Sequence, residues 1–249
     1  MLVERLYSPN HSKNKRSKQS IKFIILHYTG MQSARASIKR MLSKSSKVSA
    51  HYLIDQKGKI FNLVSDDKTA WHAGKSKWKK IQNLNKCSIG IELVNRGHSI
   101  NYENFKKKQL TSLVVLIKSL VKNYHIPFNN ILGHSDIAPL RKLDPGEKFP
   151  WSNVLRKIFP NLKFNFHSNK QKKKREKVVI TDKIRERFFY NLGKIGYCYL
   201  LKNTKNSQND KVIKAFQSRF RQKKVDGNID YECFDISNEV LKFFKKLDF

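Results

Sequence analysis

Between Gly133 and Trp151 the chain is committed to one rigid loop, and that loop narrows what the rest can be. It reads Gly133-His134-Ser135-Asp136-Ile137-Ala138-Pro139-Leu140-Arg141-Lys142-Leu143-Asp144-Pro145-Gly146, closed by Phe149-Pro150-Trp151. Pro139, Pro145 and Pro150 fix φ while Gly146 relaxes it, so side chains can be held in place without regular structure. The loop carries a candidate metal ligand (His134), a cation (Lys142) and a second candidate ligand (Asp144). Rigid loops with convergent polar groups are where chemistry concentrates. A lone His and Asp at this separation are ordinarily surface residues, so a site here needs further ligands from elsewhere.

Two apolar runs offer them. Ile21 to Leu26 is β-branched and aromatic, reads as a buried strand, and ends in His27-Tyr28-Thr29-Gly30. A His at the carboxyl end of such a strand, beside a Gly turn, is placed to line a crevice; the bland alternative is a satisfied core histidine. Cys87 to Asn95 reads as a second strand with one acid, Glu92, inside the run. An acid there is costly unless it faces a polar cleft or a partner.

The remaining elements surround these strands. Residues 1–20 are a polar lead-in with a turn at Ser8-Pro9-Asn10-His11. Residues 33–44 have helical spacing with Ser33 as N-cap, and 49–55 and 59–64 flank Gln56-Lys57-Gly58 as a hairpin. Phe105 to Tyr124 is an amphipathic helix, Asn129 to Leu132 a short strand, and Trp151 to Phe159 a closing helix.

A length of 249 residues fits one ordinary domain and a smaller one. The basic, polar run His167 to Arg175 sets a linker at 163–177, dividing a domain at 1–162 from a helical unit at 178–249. Three helices are expected in the tail. The first runs Asp182–Leu192 with Gly193 as its stop, the second carries Ile213, Phe216 and Phe220, and the third Val240, Phe244 and Leu247. Asp226, Asn228 and Asp230 resemble the start of a calcium loop, but Ser237 stands where the bidentate Glu belongs.

The net charge of +33 attracts polyanions of any kind: nucleic acid, anionic lipid or acidic wall polymer. Nucleic-acid readers lean on Arg, and 40 of the 52 basic residues are Lys, so no specific nucleic acid is expected. Cys87, Cys198 and Cys233 lack CxxC spacing, which argues against a disulfide framework or a thiolate metal site. Met1 to Ser20 lacks the apolar core of a secretory signal, and no stretch approaches a membrane span. The expectation is a soluble monomer made in the cytoplasm.

A catalytic zinc site needs three protein ligands and an open position. His27, His134 and Asp144 make a His₂Asp set suited to zinc, although spacing among eight His leaves other sets open. Glu92 could then serve as general base and Lys142 as oxyanion stabiliser. Physics at this stage indicates a hydrolytic zinc site and does not name the bond.

Five motifs in order add a resemblance. Ile25-Leu26-His27-Tyr28-Thr29-Gly30, Ser49-Ala50-His51-Tyr52-Leu53-Ile54, Ala70-Trp71-His72-Ala73-Gly74, Ile89-Gly90-Ile91-Glu92-Leu93-Val94-Asn95 and the 133–151 loop resemble the zinc-dependent N-acetylmuramoyl-L-alanine amidases of the peptidoglycan recognition protein superfamily. The likeness covers roughly residues 7–160. Trp78 and Asn95-Arg96-Gly97 are most similar to the bacterial branch acting on intact and 1,6-anhydro muropeptides. The resemblance implies an α/β (mixed α+β) fold, a central mixed sheet flanked by helices with zinc in a cleft at strand ends. It implies His27, His134 and Asp144 as Zn²⁺ ligands, Glu92 as base, Lys142 on the oxyanion and His51 as structural. It places Trp71, His72, Gly74 and Asn95 on the substrate groove, with peptidoglycan or muropeptide as partner.

The tail, through 191–197, 215–220 and 226–230, is similar to a small helical peptidoglycan-binding domain, though without the Thr-rich start of its last helix. That likeness makes the cell envelope the alternative to the cytoplasm. Two other functions compete. A non-catalytic peptidoglycan recognition protein would typically have lost a ligand, and a nucleic-acid binder would show salt-sensitive binding independent of zinc.

Overall fold

The computed structural model describes residues 3–166, 179–201 and 206–247. A six-stranded mixed sheet forms its centre. Its strands are β1 (Val3–Arg5), β2 (Phe23–Tyr28), β3 (Tyr52–Ile54), β4 (Ile60–Asn62), β7 (Ser88–Leu93) and β8 (Ile131–Gly133), in the order β1-β4-β3-β7-β2-β8. A separate two-stranded ribbon pairs β5 (Lys77–Trp78) with β6 (Ile81–Gln82). β3 and β4 form the expected antiparallel hairpin, whereas β3, β7, β2 and β8 are mutually parallel. Parallel strands are buried on both faces, which is why β2 and β7 read as nearly continuous apolar runs.

Alternate residues divide the core. Ile54 and Ile60 join the larger cluster on one face, while their neighbours Leu53 and Phe61 point to the other. That second face is covered by α1 (Ala34–Leu42), capped as expected by Ser33 Oγ, which accepts from Ala36 N–H. The first face is covered by α2 (Lys107–Tyr124) and, beyond the four-residue α3 (His134–Ile137), by α4 (Trp151–Ile158). Buried Gln109 pins α2 to the sheet by donating to the Ile54 and Val94 carbonyls.

The C-terminal helices are α5 (Asp182–Ile195), α6 (Ser207–Phe220) and α7 (Tyr231–Leu247). Phe188, Leu192, Phe216 and Val240 are fully buried and belong to the same continuous core as Ile24 and Ile91 of the sheet. Tyr197 packs edge-on against Trp78 with ring centroids 5.0 Å apart.

Several sequence expectations change in detail. The lead-in contains β1, paired parallel to β4, a strand too short and polar to announce itself. α5 runs through Gly193 and stops at Gly196, whose φ of +138° and contact with the Trp78 indole leave no room for a Cβ. The expected linker begins too early, because Phe164 and Phe166 are buried against Phe128 and Phe243. The basic run 167–175, read as a linker, lies outside the described residues. The calcium-like turn is spent on ion pairs: Asp226 and Asp230 both meet Arg221 and Lys224.

Candidate active site

Parallel register builds the site. β2 and β7 are neighbours, and their pairing sets His27 opposite Glu92. On the other side of β2, β8 ends at Gly133 and passes directly into α3, so His134 emerges one strand over. Crevices beyond the carboxyl ends of parallel strands are the usual ligand sites of such sheets. Asp144 returns along the same loop, tied to its start by the Ser135 N–H, which donates to the Asp144 carbonyl at 2.8 Å.

Three atoms meet there. His27 Nδ1 lies 3.0 Å from His134 Nδ1 and 2.9 Å from Asp144 Oδ2, and His134 Nδ1 lies 3.0 Å from the same oxygen. All three residues are buried. Burial, then the neighbouring His134 ring, push His27 down to about 4, so it is neutral near pH 7. Burial would raise Asp144, but His134 and His27 hold its carboxyl well below the usual carboxylate range. His134 Nε2 faces the Ala73 carbonyl at 3.1 Å, an acceptor that requires the ring proton there and leaves a lone pair on Nδ1. Neutral imidazole and ionised carboxylate are the forms that ligate a metal, and the donor set fits a divalent cation.

Glu92 stands beside this cluster. Its Oε2 is buried without a hydrogen-bond partner among the described residues. Burial and then the Asp144 charge push the carboxyl up to about 8, with Lys142 pulling the other way. His27, His134, Asp144, Glu92 and Lys142 share one cleft of about 500 Å³, open to solvent.

The amino-acid sequence from 17 to 147 matches the family model described as N-acetylmuramoyl-L-alanine amidase. The N-acetylmuramoyl-L-alanine amidase AmiD of Escherichia coli K12 is 33% identical over 238 residues, covering 89% of this chain and 83% of that protein. The chain belongs to the N-acetylmuramoyl-L-alanine amidase family. The 1,6-anhydro-N-acetylmuramyl-L-alanine amidase AmpD of Haemophilus influenzae is 39% identical over 113 residues, 45% of this chain and 59% of that one. Among solved structures, the E. coli AmiD complex with anhydro-N-acetylmuramic acid-L-Ala-D-gamma-Glu-L-Lys superposes with a TM-score of 0.76 at 29% identity, covering 93% of this chain and 92% of that one. AmpDh3 of Pseudomonas aeruginosa gives 0.77 at 27% identity, covering 94% and 95%.

The groove expectations for this amidase divide. Trp71, 37% exposed, lines the cleft, as does His72 at its floor. Gly74 does not line it. Its φ is +56°, and Arg141 wraps it, donating to the Ala73 and Lys75 carbonyls on either side. Asn95 is also corrected: it is 1% exposed, and its side chain is used up by the Glu103 carbonyl and the Gly97 N–H. It shapes the following turn. His51 is structural as expected, with Nδ1 accepting from Gly90 N–H and Nε2 facing the Lys68 carbonyl. Sequence reasoning missed Arg40 and Arg141 as cleft cations, since nothing distinguishes them among the chain's many basic residues.

Proposed function

We propose that this cleft hydrolyses the amide joining the lactyl group of N-acetylmuramic acid to the L-alanine of the stem peptide, with His27, His134 and Asp144 holding a zinc ion. What carries the reading is one arrangement: a buried His-His-Asp set beside Glu92 on the neighbouring strand, whose Oε2 is buried without a partner among the described residues. Bound zinc would supply Lewis acidity and make a water acidic near neutral pH.

The chain's own groups do the rest. Glu92, opposite His27 on the neighbouring strand, can take a proton from the attacking water and release it again to the alanine nitrogen as the C–N bond breaks. Lys142 lies on the cleft wall and forms no salt bridge among the described residues, so its ammonium is available to the oxyanion that develops on the lactyl oxygen. Trp71 offers an aromatic face at the rim for the sugar ring.

The substrate class follows the relatives. AmiD is described in complex with an anhydro-muropeptide, and we assign soluble anhydro-muropeptides to this cleft, with a cytoplasmic recycling role as the counterpart. A recognition module without catalysis is disfavoured because His27, His134, Asp144, Glu92 and Lys142 all line one cleft.

The purified protein should carry about one zinc per chain and lose L-alanyl peptide release on chelation. Glu92→Ala should keep the metal and abolish release; an active Glu92→Ala variant overturns the base assignment. Comparing soluble anhydro-muropeptides with whole sacculi, together with fractionation of the native protein, tests the substrate and its location.

A further inference from the structure

His72 sits under the metal cluster, and its hydrogen bonds run in one direction. At the far end the Ser88 hydroxyl donates to the Leu84 carbonyl at 2.6 Å, which leaves Ser88 Oγ as an acceptor. Oγ lies 3.2 Å from His72 Nε2, so that nitrogen carries the ring proton. His72 Nδ1 is then an acceptor, 3.0 Å from His27 Nε2, which must donate to it. A neutral His27 protonated on Nε2 has its lone pair on Nδ1, the atom that faces His134 and Asp144. From these bonds we infer that Ser88 and His72 are positioning residues, a relay anchored at the Leu84 carbonyl that fixes the tautomer and ring angle of His27 for metal ligation.

The fold makes room for this relay on purpose-built ground. Gly90, on β7 directly beneath, is where an added Cβ would lie 2.4 Å from the His72 ring, so only glycine lets the imidazole rest on the sheet. Ser88 and Gly90 lie on one face of the strand that presents Glu92 two residues later, so one strand carries the relay's hydroxyl, its seat and the proposed base. His72 is buried at 9% exposure, and its ring stands edge-on to His27 at 5.1 Å between centroids. Metal-binding histidines generally direct the second ring N–H at a carboxylate, carbonyl or water. Here the acceptor is a neutral imidazole, which orients His27 without adding a second negative charge beneath the cation.

This inference rests on the cluster being a zinc site, and the experiment separates the two. Zinc affinity is measured by chelator competition on the full chain for the parent, His72→Phe, His72→Gln and Ser88→Ala. His72→Phe keeps the ring volume but removes the acceptor, and should weaken zinc about 10- to 100-fold. His72→Gln restores an acceptor and should recover most of that loss, while Ser88→Ala, which barely changes volume, should fall between them and the parent. In the metal-free parent, ¹⁵N histidine spectra should show His27 protonated on Nε2. A parent that binds no zinc removes the metal reading itself. A parent that binds zinc, with His72→Phe and Ser88→Ala within threefold of it, overturns the relay, as does a His27 protonated on Nδ1. The spectra need no variant, so a misfolded His72→Phe still leaves the relay open to refutation.

Discussion

At the scale of single residues, the groups proposed to do chemistry are the ones the fold holds at some cost. Glu92 is half-buried, with Oε2 buried and unpartnered among the described residues, and burial with the Asp144 charge pushes its carboxyl from an ordinary 4.5 up to about 8. Between those values the unfolded chain releases the proton while the folded chain keeps it, so this group removes stability as pH rises from 4.5 to 8. Glu92→Gln should therefore stabilise the metal-free protein increasingly across that window, by at most about 1.4 kcal/mol per pH unit, while lowering activity about 10²- to 10⁴-fold. Urea unfolding at pH 5 and pH 8 checks it; identical gains at both pH values would show a carboxyl that titrates normally. His51 has the opposite sign. Burial and the Arg16 charge push it down to about 3, so below pH 6.5 only the unfolded chain takes up the proton and stability falls as pH drops toward 3. His51→Asn, which keeps an acceptor for the Gly90 N–H but cannot titrate, should flatten that acid limb by about one proton; unchanged slopes would show that His51 charges freely when folded. Much of this was legible in the sequence. A His ending an apolar run and an acid within another are conspicuous because burial makes them expensive. The work of Asn95 and Gly74 was not, because an amide satisfied by nearby backbone and a glycine packed beside Arg141 look, in sequence, like residues facing a ligand.

Among elements, the decisive contact joins α6 to the loop that carries His134 and Asp144. Asp136, in the turn that presents His134, accepts from Gly133 N–H at 2.8 Å and Arg219 at 2.7 Å through Oδ2, and from the Tyr197 hydroxyl at 2.5 Å through Oδ1. Arg219 also donates to the Ile131 carbonyl at the start of β8 and stacks on Trp151, with its guanidinium carbon 4.7 Å from the ring centroid. Both partners of this ion pair are almost wholly buried. Removing one partner of a buried pair leaves an uncompensated charge, so Arg219→Met should destabilise by about 3–5 kcal/mol. Adding Asp136→Asn should return part of that loss, and a double-mutant cycle by chemical denaturation measures the coupling. Strictly additive effects would mean the pair is not coupled. The helices themselves were readable from their 3-4 spacing, and the αβ order from alternating runs. The pairing of Asp136 with Arg219 was not, because 83 residues separate two ordinary surface-type charges and no local pattern links them.

For the molecule as a whole, the tail helices belong to the catalytic unit's core. Trp78 and Phe128 of the sheet region are buried against Tyr197 and Phe243 from the tail, and Phe164 bridges Phe128 and Phe243. From its sequence the unit reads as an appendage, since three amphipathic helices can close a core alone and nothing local reveals a second buried face. The area decides otherwise. Stripping the tail would expose at least Trp78, Phe128 and Phe164, at about 1.5–3 kcal/mol each, and would also leave Asp136 charged without Arg219. That sum, on the order of 5–10 kcal/mol before the ion pair is counted, equals the whole stability of a typical domain. A chain ending at residue 166 should therefore be largely insoluble or molten, and bind zinc weakly, even though every proposed ligand and the base are retained. Solubility, near-UV circular dichroism and zinc stoichiometry of that truncation test the point. A cooperative, zinc-loaded and active fragment would restore the view of two separable domains, with the basic run between them as a true linker.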